Sequence, residues 1–153
     1  MKLLLESFLF SVVIFVINNA ELTEDHIRKI CHEVKVRDDV LVKDFQNLVF
    51  EDRDNIFPHM KNYIEAMEEV VECYQKNQAV TARECKDVID EDGPKFMNLP
   101  YDLDVIQSRF NWTEEDTEEL YSLRKQALDV WWDLDNLLPP STHTEMTSRT
   151  TWF

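Results

Sequence analysis

Apolar residues recur at steps of three and four along most of the chain between residues 23 and 138. That spacing places them on one side of an α-helix, whereas a half-buried strand would show strict alternation. The cleanest run follows Pro58, a residue suited to the first turn of a helix. No alternating stretch of useful length occurs, so the pattern predicts an all-α fold. The apolar positions of this run are Met60, Tyr63, Ile64, Met67, Val70, Val71 and Tyr74.

Capping and breaking residues divide the pattern into segments. Acidic residues follow Thr23 and Thr113, and negative charge in a first turn is stabilised by the helix dipole. Gly93 and Pro94 are suited to ending a helix, as a left-handed cap and a residue that cannot continue it. We therefore expect a compact single domain of five or six short helices over residues 21–138. Helix starts are predicted at Thr23, Asp38 or Asp39, Pro58, Val80, Leu103 and Thr113.

The two ends of the chain differ from this helical part. Residues 1–20 have a basic start, an apolar run and a small residue at the expected cleavage point, as in a secretory signal peptide. A retained N-terminal anchor is the alternative, since Glu6 is unusual there. No later stretch reaches membrane-spanning length, so a secreted, extracellular mature chain without a membrane span is expected. Residues 139–153 are rich in Ser and Thr and predict a disordered tail.

Composition excludes several classes of function. The chain has 31 Asp and Glu against 16 Lys and Arg, a formal net charge of −15, and one Gly. Nucleic acid is not expected as a partner, because its binding depends on Lys and Arg. A single Gly also excludes the glycine-built loops that hold phosphates.

No catalytic or metal-binding pattern is present. A calcium loop with Gly93 as its sixth residue would begin at Val88 and end at Leu99, and neither can chelate. His26 and His32 are six residues apart and so do not share a helix face. No Ser lies between glycines as a nucleophile would. We predict no enzyme activity, no cofactor and no metal site.

Three cysteines indicate at most one internal disulfide in an oxidising compartment. Cys73 and Cys85 lie at equal distances from a predicted turn near Ala79, so in an antiparallel helical hairpin they would sit at the same height. We therefore expect a Cys73–Cys85 disulfide. Cys31 would then be left over and able to link two chains as a disulfide-bonded dimer. The alternative is that Cys31 bridges one of the other two.

Two further features bear on function. Asn111-Trp112-Thr113 is a sequon, so Asn111 is a predicted glycosylation site in a secreted chain. Methionine and aromatic residues concentrate on two helices, and such side chains adapt to irregular apolar ligands. They would equally serve as an ordinary helical core. The predicted ligand-binding residues are Met60, Tyr63, Met67, Tyr74, Trp131 and Trp132.

Part of the chain resembles insect odorant-binding proteins. Residues 22–31, Leu-Thr-Glu-Asp-His-Ile-Arg-Lys-Ile-Cys, are similar to that family's first helix with its first cysteine. Residues 61–67, Lys-Asn-Tyr-Ile-Glu-Ala-Met, are similar to its third helix, where the family carries two cysteines and this chain has Asn62 and Ala66. The resemblance covers about 45 residues, and the spacing of Cys73 and Cys85 does not match the family's later cysteines. It implies a secreted six-helix carrier with an internal apolar pocket.

Two hypotheses for function follow. The first is a secreted, acidic, helical binding protein that carries a small apolar ligand such as an odorant, a pheromone or a lipid-like molecule. The alternative is a secreted interaction protein, for example an effector, a venom component or a seminal component, that has no ligand cavity. Such a protein would act through its surface, and its negative charge would favour a cationic protein surface as partner.

Overall fold

The computed structural model describes residues 22–46, 53–100 and 102–139. Within these ranges every regular element is a helix, which confirms the prediction of an all-α domain. The predicted signal peptide and residues 140–153 of the predicted tail lie outside the described ranges. The elements are α1 (Glu24–Gln46), α2 (Arg53–Lys76), α3 (Gln78–Glu84), α4 (Lys86–Ile89), a 3-10 helix (Lys95–Asn98), α5 (Leu103–Phe110) and α6 (Glu114–Leu137).

Helix α1 is continuous across the position where the sequence suggested a new start. Asp38 and Asp39 lie inside the helix instead of capping a second one. The reason is that Asp38 falls on the same face as the apolar residues and is 4% exposed. The buried positions of α1 keep helical spacing throughout, at Ile27, Ile30, Cys31, Val34, Asp38, Leu41 and Phe45.

Helix α2 forms the centre of the domain. It packs against α1 on one side and α6 on the other. It begins at Arg53, so Pro58 lies within the helix and not at its first turn. Its apolar stripe is buried as the periodicity predicted, with Met60, Met67 and Val70 fully buried. None of the helices in the described ranges has the length and apolarity needed to cross a membrane.

The 3-10 helix inserts side chains between the long helices. Phe96 is fully buried, and its ring stacks on Phe45 at 5.9 Å between centroids. The edge of Tyr63 meets the same ring at 5.2 Å. Arg124 of α6 donates a hydrogen bond of 3.1 Å to the carbonyl of Met97. The loop that precedes α5 therefore completes the core.

The disulfide connects Cys31 and Cys85, so the predicted Cys73–Cys85 pairing is wrong. That prediction assumed an antiparallel hairpin, but α3 is only seven residues long and packs against both α1 and α2. Cys85 then lies at the break between α3 and α4, with its Cα 5.2 Å from that of Cys31.

Cys73 is the remaining thiol, and it is buried. Burial, together with the nearby carboxylates of Glu69 and Glu72, raises the pKa of this thiol. The predicted disulfide-linked dimer through Cys31 is also wrong, because Cys31 is bridged within the chain.

Candidate functional site

The predicted ligand-binding residues of α2 belong to the packed core. Met60 and Met67 have no exposed surface, and Tyr63 and Tyr74 are 2% and 4% exposed. Burial raises the pKa of Tyr63 well above its ordinary value, because the phenolate would lose its water. Tyr74 accepts a hydrogen bond of 3.0 Å from the side-chain amide of Gln78. These four residues contact other core side chains, including Phe96 beside Tyr63.

The two predicted tryptophans are placed differently from those four residues. Trp131 is 9% exposed and Trp132 is 44% exposed, and both border an open cleft of about 250 Å³. We call it the tryptophan cleft. It lies between the C-terminal half of α6 and the loop that follows α4. The side chains that matter below are Glu91, Asp92 and Gly93 on the loop, and Trp131, Trp132 and Asp135 on α6.

Gly93 shapes this cleft. Its φ of +92° lies in the region that only glycine adopts readily, and a Cβ there would lie 3.3 Å from Nε1 of Trp131. The sequence predicted a left-handed Gly93 that ends a helix; the positive φ is found, but the helix ends at Ile89 with Asp90 as its cap. The close approach of Gly93 to Trp131 was not foreseen. The signal was present in the lone glycine of the chain, whose partner lies 38 residues further on and so cannot be identified from local pattern.

Two further clefts among the described residues are also lined by carboxylates. The larger one, about 620 Å³, lies between α5 and α6 and includes Asp104, Glu114, Glu118 and the exposed ring of Tyr121. We call it the α5–α6 groove. Another cleft of about 460 Å³ runs between α2 and α6. There Lys61 forms an ion pair of 2.8 Å with Glu119.

Many basic side chains of the described ranges are engaged in ion pairs. Arg28 contacts Glu84 at 2.7 Å, and Arg83 contacts both Glu84 and Glu24 at 2.8 Å. The two guanidinium groups lower the pKa of Glu84, Arg83 having the larger influence. In contrast, Asp104, Glu114 and Glu118 of the α5–α6 groove have no side-chain ion pair with any described residue. The surface potential of the groove is therefore negative.

The predicted glycosylation site lies at the end of α5. Asn111 is exposed and adopts a left-handed conformation with φ of 54°, which ends the helix. Thr113 caps α6 in a capping box with Asp116, as the sequence indicated. Trp112 between them is buried, with its ring 5.4 Å from Phe57. Asn111 is thus accessible in the folded chain, while glycosylation itself stays a prediction.

Metal binding and relationships to known proteins give no further assignment. Within the described residues, no group of three or more His, Cys, Asp or Glu side chains is arranged to hold a metal ion. Comparison of the chain with protein-family models, with curated proteins and with solved structures finds no significant match. The resemblance to odorant-binding proteins stays a prediction.

Proposed function

We propose that the protein is a secreted, non-catalytic binding protein that recognises a cationic protein surface through its acidic face. The observation that carries this proposal is the α5–α6 groove, whose carboxylates have no ion-pair partner among the described residues, while many basic residues elsewhere are paired. An anionic surface accelerates encounter with a cationic partner and suppresses binding of anionic ones. The net charge of −15 acts in the same direction.

The groove also provides an apolar contact beside its charges. Tyr121 is 44% exposed at its edge, and tyrosine is among the residues that contribute most at protein interfaces. Glu114 and Glu118 lie one turn apart on α6, so both face the same partner surface. This combination suits a partner segment that carries Lys or Arg beside apolar side chains.

A labelled oligolysine peptide tests this proposal at physiological salt by fluorescence anisotropy. Three double variants each remove two negative charges: Glu114→Gln with Glu118→Gln in the groove, Glu65→Gln with Glu68→Gln between α2 and α6, and Asp92→Asn with Asp135→Asn in the tryptophan cleft. We expect the groove variant to weaken binding about tenfold more than either of the others. Equal losses in all three would show that only the overall charge acts, and would overturn the proposal.

The carrier of a small apolar ligand, which the resemblance implies, is a second candidate. The observation in its favour is the exposed ring of Trp132 beside Trp131 in the tryptophan cleft. Titration with a neutral apolar fluorescent probe, followed by competition with alkyl alcohols or fatty acids, tests it. Displaceable binding at micromolar concentration that is lost in Trp132→Ala would support the carrier. Absence of binding at that concentration would count against it.

A further inference from the structure

We propose that the tryptophan cleft binds a small organic ammonium ion that carries an oxygen near its cationic nitrogen. The site is separate from the α5–α6 groove, and the proposal goes beyond recognition of a protein surface. Three features of the cleft support it independently: two carboxylates without an ion-pair partner among the described residues, an exposed tryptophan, and the N–H of a second tryptophan that donates to no described residue.

The carboxylates select for positive charge. Asp92 and Asp135 line the cleft and form no side-chain ion pair or hydrogen bond with a described residue. Glu91 is already paired with Lys95, at 3.3 Å. No Lys or Arg lines the cleft, so two negative charges have no counterion from the described chain. A cation entering between them would be attracted to both.

Trp132 supplies the second feature. The residue is 44% exposed and borders the cleft beside these carboxylates. Tryptophan is the aromatic side chain that attracts cations most strongly, and aromatic walls are used to recognise organic ammonium groups. An ammonium ion with methyl or methylene groups satisfies both the ring and the carboxylates. A hydrated metal ion would gain little from the indole.

Trp131 supplies the third feature, and it defines the rest of the ligand. The residue is 9% exposed, and its Nε1 lies against Gly93 without donating a hydrogen bond to any described residue. This nitrogen is not one of the fully enclosed polar atoms that lack a partner, so a molecule in the cleft can reach it. An indole N–H is a donor only, and it needs an acceptor to form a hydrogen bond. A hydroxyl or carbonyl oxygen on the ligand would provide one. Any other residue at position 93 would bring a Cβ to 3.3 Å from that nitrogen and obstruct the acceptor's approach.

The volume limits the size of the ligand. The cleft holds about 250 Å³, somewhat below the range of about 300–1,000 Å³ that is typical of sites for drug-sized molecules. A ligand with a short carbon skeleton therefore fits, while a long lipid chain would extend into solvent. Amino alcohols have the required size, charge and oxygen.

Isothermal titration calorimetry of the mature chain tests the proposal with two amino alcohols, choline and 2-aminoethanol. Each has an uncharged counterpart of similar shape, 3,3-dimethylbutan-1-ol and propan-1-ol. We expect at least one ammonium compound to bind at millimolar concentration or below, and its counterpart to bind at least about tenfold more weakly. Failure of both ammonium compounds, or equal binding of the uncharged pair, would overturn the proposal.

Matched variants locate the binding. Trp132→Ala and Asp92→Asn should each weaken binding of the ammonium compound by about tenfold. Tyr121→Ala removes an aromatic ring that is equally exposed, and Asp133→Asn removes a charge next to Trp132 but outside the cleft lining. Both controls should change affinity by less than about twofold. If Asp133→Asn weakens binding as much as Asp92→Asn, a diffuse field and not the cleft is responsible.

Failure of this proposal can be told apart from failure of the proposed function. The function is tested with a peptide and with variants of the α5–α6 groove, whereas this site is tested with small cations and variants of the tryptophan cleft. Circular dichroism of each variant verifies folding. All four substitutions described for the cleft and its controls affect exposed side chains, so the fold should be kept.

Discussion

Two carboxylates connect the segment that follows α2 to helix α1, and they do so in different ways. Glu84, at the end of α3, accepts hydrogen bonds from Arg28 at 2.7 Å and Arg83 at 2.8 Å. Asp38, inside α1, accepts hydrogen bonds from the backbone N–H groups of Lys95 at 3.1 Å and Phe96 at 3.2 Å. The first contact joins charged side chains at the surface, and the second joins a buried carboxylate to the 3-10 helix.

The pKa values of these groups move in opposite directions. The guanidinium groups lower the pKa of Glu84, because they favour its charged form. Burial raises the pKa of Asp38, and the two backbone hydrogen bonds only partly oppose that change. A carboxylate that connects two helical segments can therefore form more than one kind of contact. Its response to acid depends on whether its partners are charged and whether water reaches it.

The largest predicted effect comes from removing the disulfide next to Glu84, which separates its contribution to stability from that of the ion pairs of Glu84. The Cys31–Cys85 disulfide lies beside it and closes a sequence separation of 54 residues. Replacing both cysteines by alanine should lower the free energy of unfolding by about 4 kcal/mol, since a loop of that length gains much chain entropy when released. Urea denaturation monitored by circular dichroism measures the loss.

Cys73→Ala is the control for that variant. It removes a buried thiol without opening a bridge, and should cost less than about 2 kcal/mol. Peptide mapping under non-reducing conditions gives an independent reading of the linkage. A peptide containing Cys73 joined to one containing Cys85 would contradict the structure and restore the pairing that the sequence suggested.

The disulfide also shows which feature of the fold could not be predicted from the sequence. Periodicity identified the buried stripe of α2, and Thr113 followed by acidic residues identified the start of α6, because both are local properties. The pairing of cysteines depends on which helices lie side by side. The helix predicted to start at Val80 breaks at Cys85 and places that residue beside α1, and no Gly or Pro at the break indicates it in the sequence.

Asp38 illustrates a second limit. A polar residue after a helical stretch is typical of a helix cap, so the sequence favoured that role for Asp38. No nearby residue indicates that its hydrogen-bond donors lie 57 and 58 residues away. The candidate sites likewise depend on contacts between residues that are far apart in the sequence. Trp131 and Trp132 could be selected by residue type, but the cleft exists only because Gly93 and the loop after α4 meet α6.

Removing the Asp38 carboxylate should have the next largest effect. Asp38→Ala leaves two N–H groups of the 3-10 helix without their acceptor, one of them on fully buried Phe96. A buried donor left unsatisfied costs about 1–3 kcal/mol, so we expect a loss of about 2–3 kcal/mol in thermal or urea denaturation. Near-ultraviolet circular dichroism should also change, because Phe96 contacts the Tyr63 ring.

Asp38→Asn provides the matched comparison. The amide keeps one acceptor oxygen and removes the buried charge, so its cost at neutral pH should be clearly smaller than that of Asp38→Ala. If the two variants were equally destabilised, the charge of Asp38 and not its role as acceptor would be what matters. The contrast with Glu84 would then disappear.

The smallest predicted effect is on the pH dependence of stability, and it tests the difference between Glu84 and Asp38 directly. The ordinary pKa of Glu84 is 4.5, and its lowered value in the fold means that its stabilising contribution is present above that pH and is lost as pH falls through the folded pKa. The ordinary pKa of Asp38 is 3.8, and its raised value has the opposite consequence. Its contribution is fully present below that pH and is lost as pH rises through the folded pKa.

Unfolding free energies at pH 7 and at about pH 3, with ionic strength held constant, reveal the two signs. On acidification the wild type should lose stability relative to Glu84→Gln, because only the wild type then gives up a charged contact with Arg28 and Arg83. Over the same change it should gain stability relative to Asp38→Asn, because protonation removes its buried charge. Two differences of the same sign would mean that burial and ion pairing do not distinguish these carboxylates, and the comparison between the two regions would fail.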